Sequence, residues 1–179
     1  MIETTQVMRA ALKVVLPLLA IGAAVVAARR RSPNPRETLA LTAPDPSATA
    51  AWIIVFVALF VGSDVVMHWR GPWDWTPWRE APLFVSICRV LGVCILGPIA
   101  EELIFRAVLY ERLLRAGLDS RLVVVILAAA WAVLHYSYSG GVISLIFVGG
   151  LFLGAARRQT GSVVPSILMH IAWNLYAIW

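Results

Sequence analysis

Residues 82–115 read PLFVSICRVLGVCILGPIAEELIFRAVLYERLLR. Up to Ala100 this stretch carries one charge, Arg89, and then two glutamates arrive together inside an apolar run. A helix needs about 20 mostly apolar residues to cross the ~30 Å hydrocarbon core of a bilayer, so the run predicts a membrane-spanning helix. Gly97-Pro98 predicts a kink in it, because proline removes one backbone bond and crowds the preceding turn. Beyond Ala100 the pattern turns amphipathic and ends on Arg112 and Arg115.

Other apolar runs repeat on both sides of this one. They extend over residues 6–28, closed by Arg29, Arg30 and Arg31, and over 50–69, 122–138, 141–156 and 163–179. The first run could be misread as a signal peptide, but its basic cluster follows the apolar residues, as in a retained anchor. Residues 32–47, with four prolines, read as a linker. Trp69, Trp73, Trp75 and Trp78 crowd beside the second run as an interfacial belt. The fold class predicted is an all-α integral membrane protein, a polytopic bundle of about six transmembrane helices without strands. Three regions follow: 1–49, a first span and linker; 50–81, a second span and tryptophan-rich loop; and 82–179, four helices.

Composition agrees, with 60% of the 179 residues hydrophobic and 14% charged and a mean hydropathy of +0.81. A soluble domain has about a quarter of its residues charged. The net charge of +5 sits in short groups between apolar runs and forms no basic stripe, which argues against a nucleic-acid partner. The arginines after the first, third and fifth runs (Arg29–Arg31 and Arg36; Arg112, Arg115 and Arg121; Arg157 and Arg158) all fall on one side of a six-span chain. That side is expected to be cytoplasmic and both termini extracytoplasmic. The localisation expected is a bacterial plasma membrane, with lipid as the surrounding partner. Cys88 and Cys94, six apart on a helix, are too far apart for a disulfide.

Ionisable residues within membrane spans cost at least a few kcal/mol each, so they are functional candidates by default. Glu102 and Arg106 lie one helical turn apart in the favourable acid-then-base order. Glu101 points about 140° away from Arg106. The spacing therefore separates a braced acid, Glu102, from a free one, Glu101, suited to general-base work. His135 ends the fourth run, and His170 and Asn174 share one face of the sixth. Imidazole and amide groups can stabilise a developing oxyanion. Any one of these residues alone is more simply a structural polar group; together they supply what water-driven acyl cleavage requires. Asp64, by contrast, is expected to be structural, either pairing with a cation of a neighbouring helix such as Arg89 or reaching interfacial water. Gly150 and Gly154 are spaced for close helix packing.

Three segments carry a resemblance. GPIAEELIFRAVLYERLL (97–114) contains EExxxR, WAVLH (131–135) corresponds to FxxxH with Trp131 in place of phenylalanine, and RRQTGSVVPSILMHIAWN (157–174) contains HxxxN. In this order they resemble the CAAX-protease and bacteriocin-processing family of glutamic intramembrane proteases, over about residues 82–179. The resemblance implies that Glu101 activates the hydrolytic water with help from His135. It implies that His170 and Asn174 bind the oxyanion and that Glu102 and Arg106 brace the catalytic glutamate. The Trp131 exchange keeps an aromatic ring and is expected to change little. No cofactor is implied; two histidines and a glutamate could hold zinc, but metal-free chemistry is expected because the resemblance points that way and no HExxH-type pairing occurs. The partner implied is a membrane-associated protein or peptide substrate.

At about 1.5 Å per residue, Glu101 lies roughly 16 Å from the boundary marked by Arg112, near the midplane or slightly outward. Two other readings use the same residues: a non-catalytic immunity-type or scaffolding protein of this fold, and a small transporter relaying protons through its buried acids. The absence of inverted repeats weighs against the transporter.

Overall fold

In a computed structural model, the structure describes residues 4–71, 74 and 76–178. Trp73 and Trp75 of the expected aromatic belt lie outside these residues. Among the described residues the chain is all-helical. Its six principal helices are α1 Thr4–Arg29, α2 Pro46–Met67, α3 Leu83–Arg115, α4 Ser120–Val133, α5 Gly140–Thr160 and α6 Val164–Ala177. Single turns at Pro35–Thr38 and Thr76–Glu80 lie in the loops.

α1, α2, α3 and α5 are long and apolar enough to cross a membrane. α4 and α6 have 14 residues each, about 21 Å at ~1.5 Å per residue, short of a full crossing. The expected all-α polytopic bundle is present, with four helices of full spanning length and two shorter ones. The fourth helix ends at Val133 and the chain continues to Tyr138 in tight turns, which the apolar pattern alone does not reveal. The protein is a polytopic helical membrane protein, with α4 and α6 held among longer helices. Large apolar side chains such as Leu16, Leu19, Ile54, Val65 and Leu83 are exposed, as expected of surfaces facing lipid.

Local sequence sets the helix ends. The Asp45 carboxylate caps α2 by accepting from the Ala48 N–H at 2.7 Å, with Pro46 in the first turn. Asp119 caps α4, accepting from the N–H groups of Arg121 at 2.8 Å and Leu122 at 3.3 Å. α5 stops at Gly161, whose φ of +68° suits a glycine.

The main core joins Phe56 and Phe60 of α2, Val123, Leu127 and Trp131 of α4, and Leu153, Met169 and Trp173 of α5 and α6. α1 packs separately on α3 through Ala24, Ala28, Leu103 and Ala107. The glycine spacing in α5 serves the interior. A Cβ on Gly150 would lie 3.1 Å from the Ala128 backbone, and one on Gly154 would lie 2.8 Å from a Val124 methyl. The glycines thus let α5 approach α4 closely.

α3 departs from the expected simple kink. Two π-helical segments, Val90–Leu96 and Leu103–Leu109, flank a short α-helical piece, Gly97–Glu102. The Gly97 N–H reaches back five residues to the Gly92 carbonyl. The next rung of that pattern would join residue 98 to Val93, and Pro98 has no N–H to give. The widened turn absorbs the proline and leaves a backbone carbonyl available to another helix.

Candidate active site

The two glutamates occupy the α-helical piece between the π segments, and their environments differ. Glu102 is fully buried. Its Oε1 accepts from Arg106 Nη1 at 3.1 Å and from His170 Nδ1 at 2.9 Å. Arg106 donates a second bond from Nη2 to the Gly150 carbonyl at 3.3 Å, and its guanidinium lies over the Trp131 ring, 4.9 Å from the centroid. The acid-then-base spacing therefore does produce a buried ion pair. It also draws in His170, 68 residues further on.

Glu101 is only half-buried. Its Oε2 accepts from the Trp131 indole N–H at 2.6 Å. His135 lies one turn beyond Trp131, where α4 ends. There the His135 backbone N–H bonds the Ala132 carbonyl, which leaves the Trp131 carbonyl without that helical partner. The His135 ring fills the gap, with Nδ1 2.9 Å from the Trp131 oxygen. A carbonyl can only accept, so Nδ1 carries the hydrogen and Nε2 keeps a lone pair in the neutral ring.

Asn174 answers the gap in α3. Its Nδ2 donates to the Val93 carbonyl at 2.8 Å, the carbonyl that Pro98 leaves unbonded. The second π segment is bridged similarly, with Arg157 Nε donating to the Arg106 carbonyl at 3.0 Å and Arg157 Nη2 to Glu111 at 2.8 Å. Both π segments thus expose carbonyls that side chains of α5 and α6 bind.

A cavity of about 800 Å³ opens in front of this cluster. Glu101, Trp131, His135, His170 and Asn174 line it. Glu102 and Arg106 stand behind the wall. Lys13, Arg70 and Arg89 also border it. Among the described residues, no group of three or more His, Cys, Asp or Glu side chains is arranged to hold a metal ion.

Three expectations are modified. Asp64 pairs with Arg70, not Arg89: it accepts from Arg70 Nε at 3.3 Å and from Tyr176 Oη at 2.7 Å. Arg70 follows α2 directly and its backbone N–H also reaches the carboxylate, so the local turn wins over the distant cation. Arg89 instead lies over the Trp78 ring, 4.6 Å from its centroid. His170 was expected as an oxyanion donor, but Nδ1 is committed to Glu102. The opposite nitrogen can donate into the cavity only when the ring carries both hydrogens. Trp131 does more than replace one aromatic ring with another, because its N–H reaches Glu101; the tryptophan within the second motif is the signal for it. Cys88 and Cys94 are both free and buried, as their spacing implies.

No curated protein and no solved structure matches the chain. A family model does, that of the type II CAAX prenyl endopeptidase Rce1-like proteins, over residues 82–176, more than half of the chain. The match spans α3 to α6 up to Tyr176, the helices and the turn after α4 that carry the side chains of the cluster. The chain therefore belongs to the Rce1-like family of type II CAAX prenyl endopeptidases, which are membrane proteases.

Proposed function

We propose that this protein is a glutamic-type intramembrane endopeptidase that hydrolyses a peptide bond of a membrane-associated protein or peptide. The observation that carries the reading is the shared lining of one cavity by Glu101, His135, His170 and Asn174. In this reading Glu101 takes a proton from water, and the resulting hydroxide attacks the scissile carbonyl. His135, with its Nε2 lone pair, assists that transfer and helps return a proton to the leaving amine. Asn174 has a second amide hydrogen beyond the one bound to Val93, and that hydrogen serves the oxyanion together with His170 in its doubly protonated form. Glu102 fixes the orientation of the His170 ring through Nδ1, while Arg106 pairs with the same carboxylate and ties α3 to α5.

Catalysis by Glu101 is favoured over Glu102 because Glu102 spends Oε1 on two partners and has no surface in the cavity. Lys13, Arg70 and Arg89 belong to the end of the bundle expected to face outward, which favours a substrate entering from that side.

The test compares membrane proteomes of cells carrying the wild-type chain, Glu101→Ala or His135→Ala. A precursor should accumulate in both variants, and purified wild-type protein in liposomes should cleave it. Full processing by both variants would overturn the reading and favour the non-catalytic alternative. Proton flux across vesicles abolished by Glu101→Gln would favour the transporter.

A further inference from the structure

Trp131 touches more of the polar cluster than any residue assigned a role above. It is 2% exposed, and its ring lies edge-on to His135 at 5.1–5.2 Å between centroids, as it does to His170. Arg106 sits over its face, and its carbonyl holds the His135 ring. Its indole N–H makes a short bond to the free glutamate, at 2.6 Å. A buried tryptophan must place its N–H somewhere, and a hydrophobic position would satisfy that need with a backbone carbonyl or water. Here the N–H goes to a carboxylate, giving a charge-assisted bond that is stronger and more directional than a neutral one.

We propose that Trp131 is a positioning residue for Glu101. By holding Oε2 it fixes the carboxylate's rotation and leaves Oε1, to which the described residues donate no hydrogen bond, as the oxygen that meets the water. The Trp131 carbonyl meanwhile fixes the tautomer of His135, so one residue sets both members of the water-activating pair. This deepens the protease reading and rests on it for the catalytic consequence. The hydrogen bond itself does not depend on that reading. A phenylalanine at 131 fills the same space but has no N–H. This chain therefore orients its glutamate by a device that the FxxxH pattern lacks.

Trp131→Phe in the full chain in liposomes isolates the N–H, and two readouts follow. The first is the modification of Glu101 by dicyclohexylcarbodiimide at fixed pH, followed by mass spectrometry. This reagent adds to a carboxyl oxygen in apolar surroundings, and an oxygen held by a short N–H bond is less free to react. Labelling of Glu101 should therefore be several-fold faster in Trp131→Phe. Trp52→Phe, which removes an indole bond to Gln159 far from the cavity, should label as wild type does. The second readout is turnover of the precursor that accumulates with Glu101→Ala: kcat should fall roughly tenfold, as for loss of one hydrogen bond, with KM little changed.

Unchanged labelling in Trp131→Phe overturns the proposal. Faster labelling with unchanged kcat overturns the positioning role and leaves only a structural bond. A parallel rise in KM and fall in melting temperature, with labelling as in wild type, also overturns it, because that is a packing defect. If Glu101→Ala and His135→Ala both process fully, the protease reading fails, and labelling still decides whether Trp131 holds Glu101.

Discussion

Glu101 and Glu102 are neighbours of identical chemistry, and their surroundings assign them different work. Glu102 is desolvated and is compensated by a guanidinium and an imidazole on the same oxygen. Truncating one partner of a buried ion pair leaves an uncompensated charge, which costs roughly 3–5 kcal/mol. Arg106→Ala should therefore lower stability by about that amount, measured by unfolding in mixed micelles, and Glu101→Ala should cost far less because Glu101 reaches the cavity. Equal losses would mean that the two acids are not divided as the geometry divides them. The residue scale also marks the limit of spacing arguments. The 140° between Glu101 and Arg106 separates the acids correctly, because both lie on one helix. The bond from His170 to Glu102 crosses 68 residues, and no periodicity encodes it. The Trp131 bond was hidden differently: indole and phenyl rings are equivalent as apolar volume, and only the partner of the N–H distinguishes them.

Among the helices, the long apolar runs were legible because burial in lipid demands length, and α1, α2, α3 and α5 supply it. The π segments of α3 were not legible. Gly97-Pro98 announces a disturbance, but whether the helix kinks or widens depends on which groups can take the freed carbonyls. Here Asn174 takes the Val93 carbonyl. This yields a coupling: Asn174→Ala leaves that acceptor unbonded, at a cost of about 1–3 kcal/mol. In a Pro98→Ala background a backbone N–H becomes available, so the same change should cost measurably less. A double-mutant cycle on unfolding midpoints checks this, and strict additivity would break the link between proline and asparagine. The caps give a pH signature outside the membrane. Backbone N–H groups of Arg121 and Leu122 hold the Asp119 carboxyl below its ordinary range, and hydrogen bonds from Ser47 and Ala48 do the same for Asp45. A carboxyl lowered in the folded state stabilises the fold above its unfolded pKa, and that contribution fades as pH falls through the folded value. Asp119→Ala should lower the melting temperature at pH 7, and the gap to wild type should close below about pH 4. A gap that persists at low pH would show that the residue acts through something other than its charge.

The bundle as a whole brings its cationic ends together. α1 and α3 run parallel: Lys13 packs by Gly92, while Ala24 and Ala28 pack with Leu103 and Ala107. The end of α1 marked by Arg29, Arg30 and Arg31 therefore lies with the end of α3 marked by Arg112 and Arg115. The bridge from Arg157 to Glu111 brings the end of α5 to the same place. Three basic clusters far apart in sequence thus share one face, as the positive-inside rule requires of loops on the cytoplasmic side. The cavity, with Lys13, Arg70 and Arg89 at its border, lies towards the opposite face. Single cysteines introduced into a Cys88→Ala, Cys94→Ala background test this arrangement with a membrane-impermeant maleimide. Thr76→Cys and Ser139→Cys should label on intact cells, whereas Asn34→Cys and Ala116→Cys should label only after lysis. The reverse pattern would put the cavity mouth on the cytoplasmic side. Substrates would then be drawn from proteins that have not crossed the membrane, instead of from exported chains.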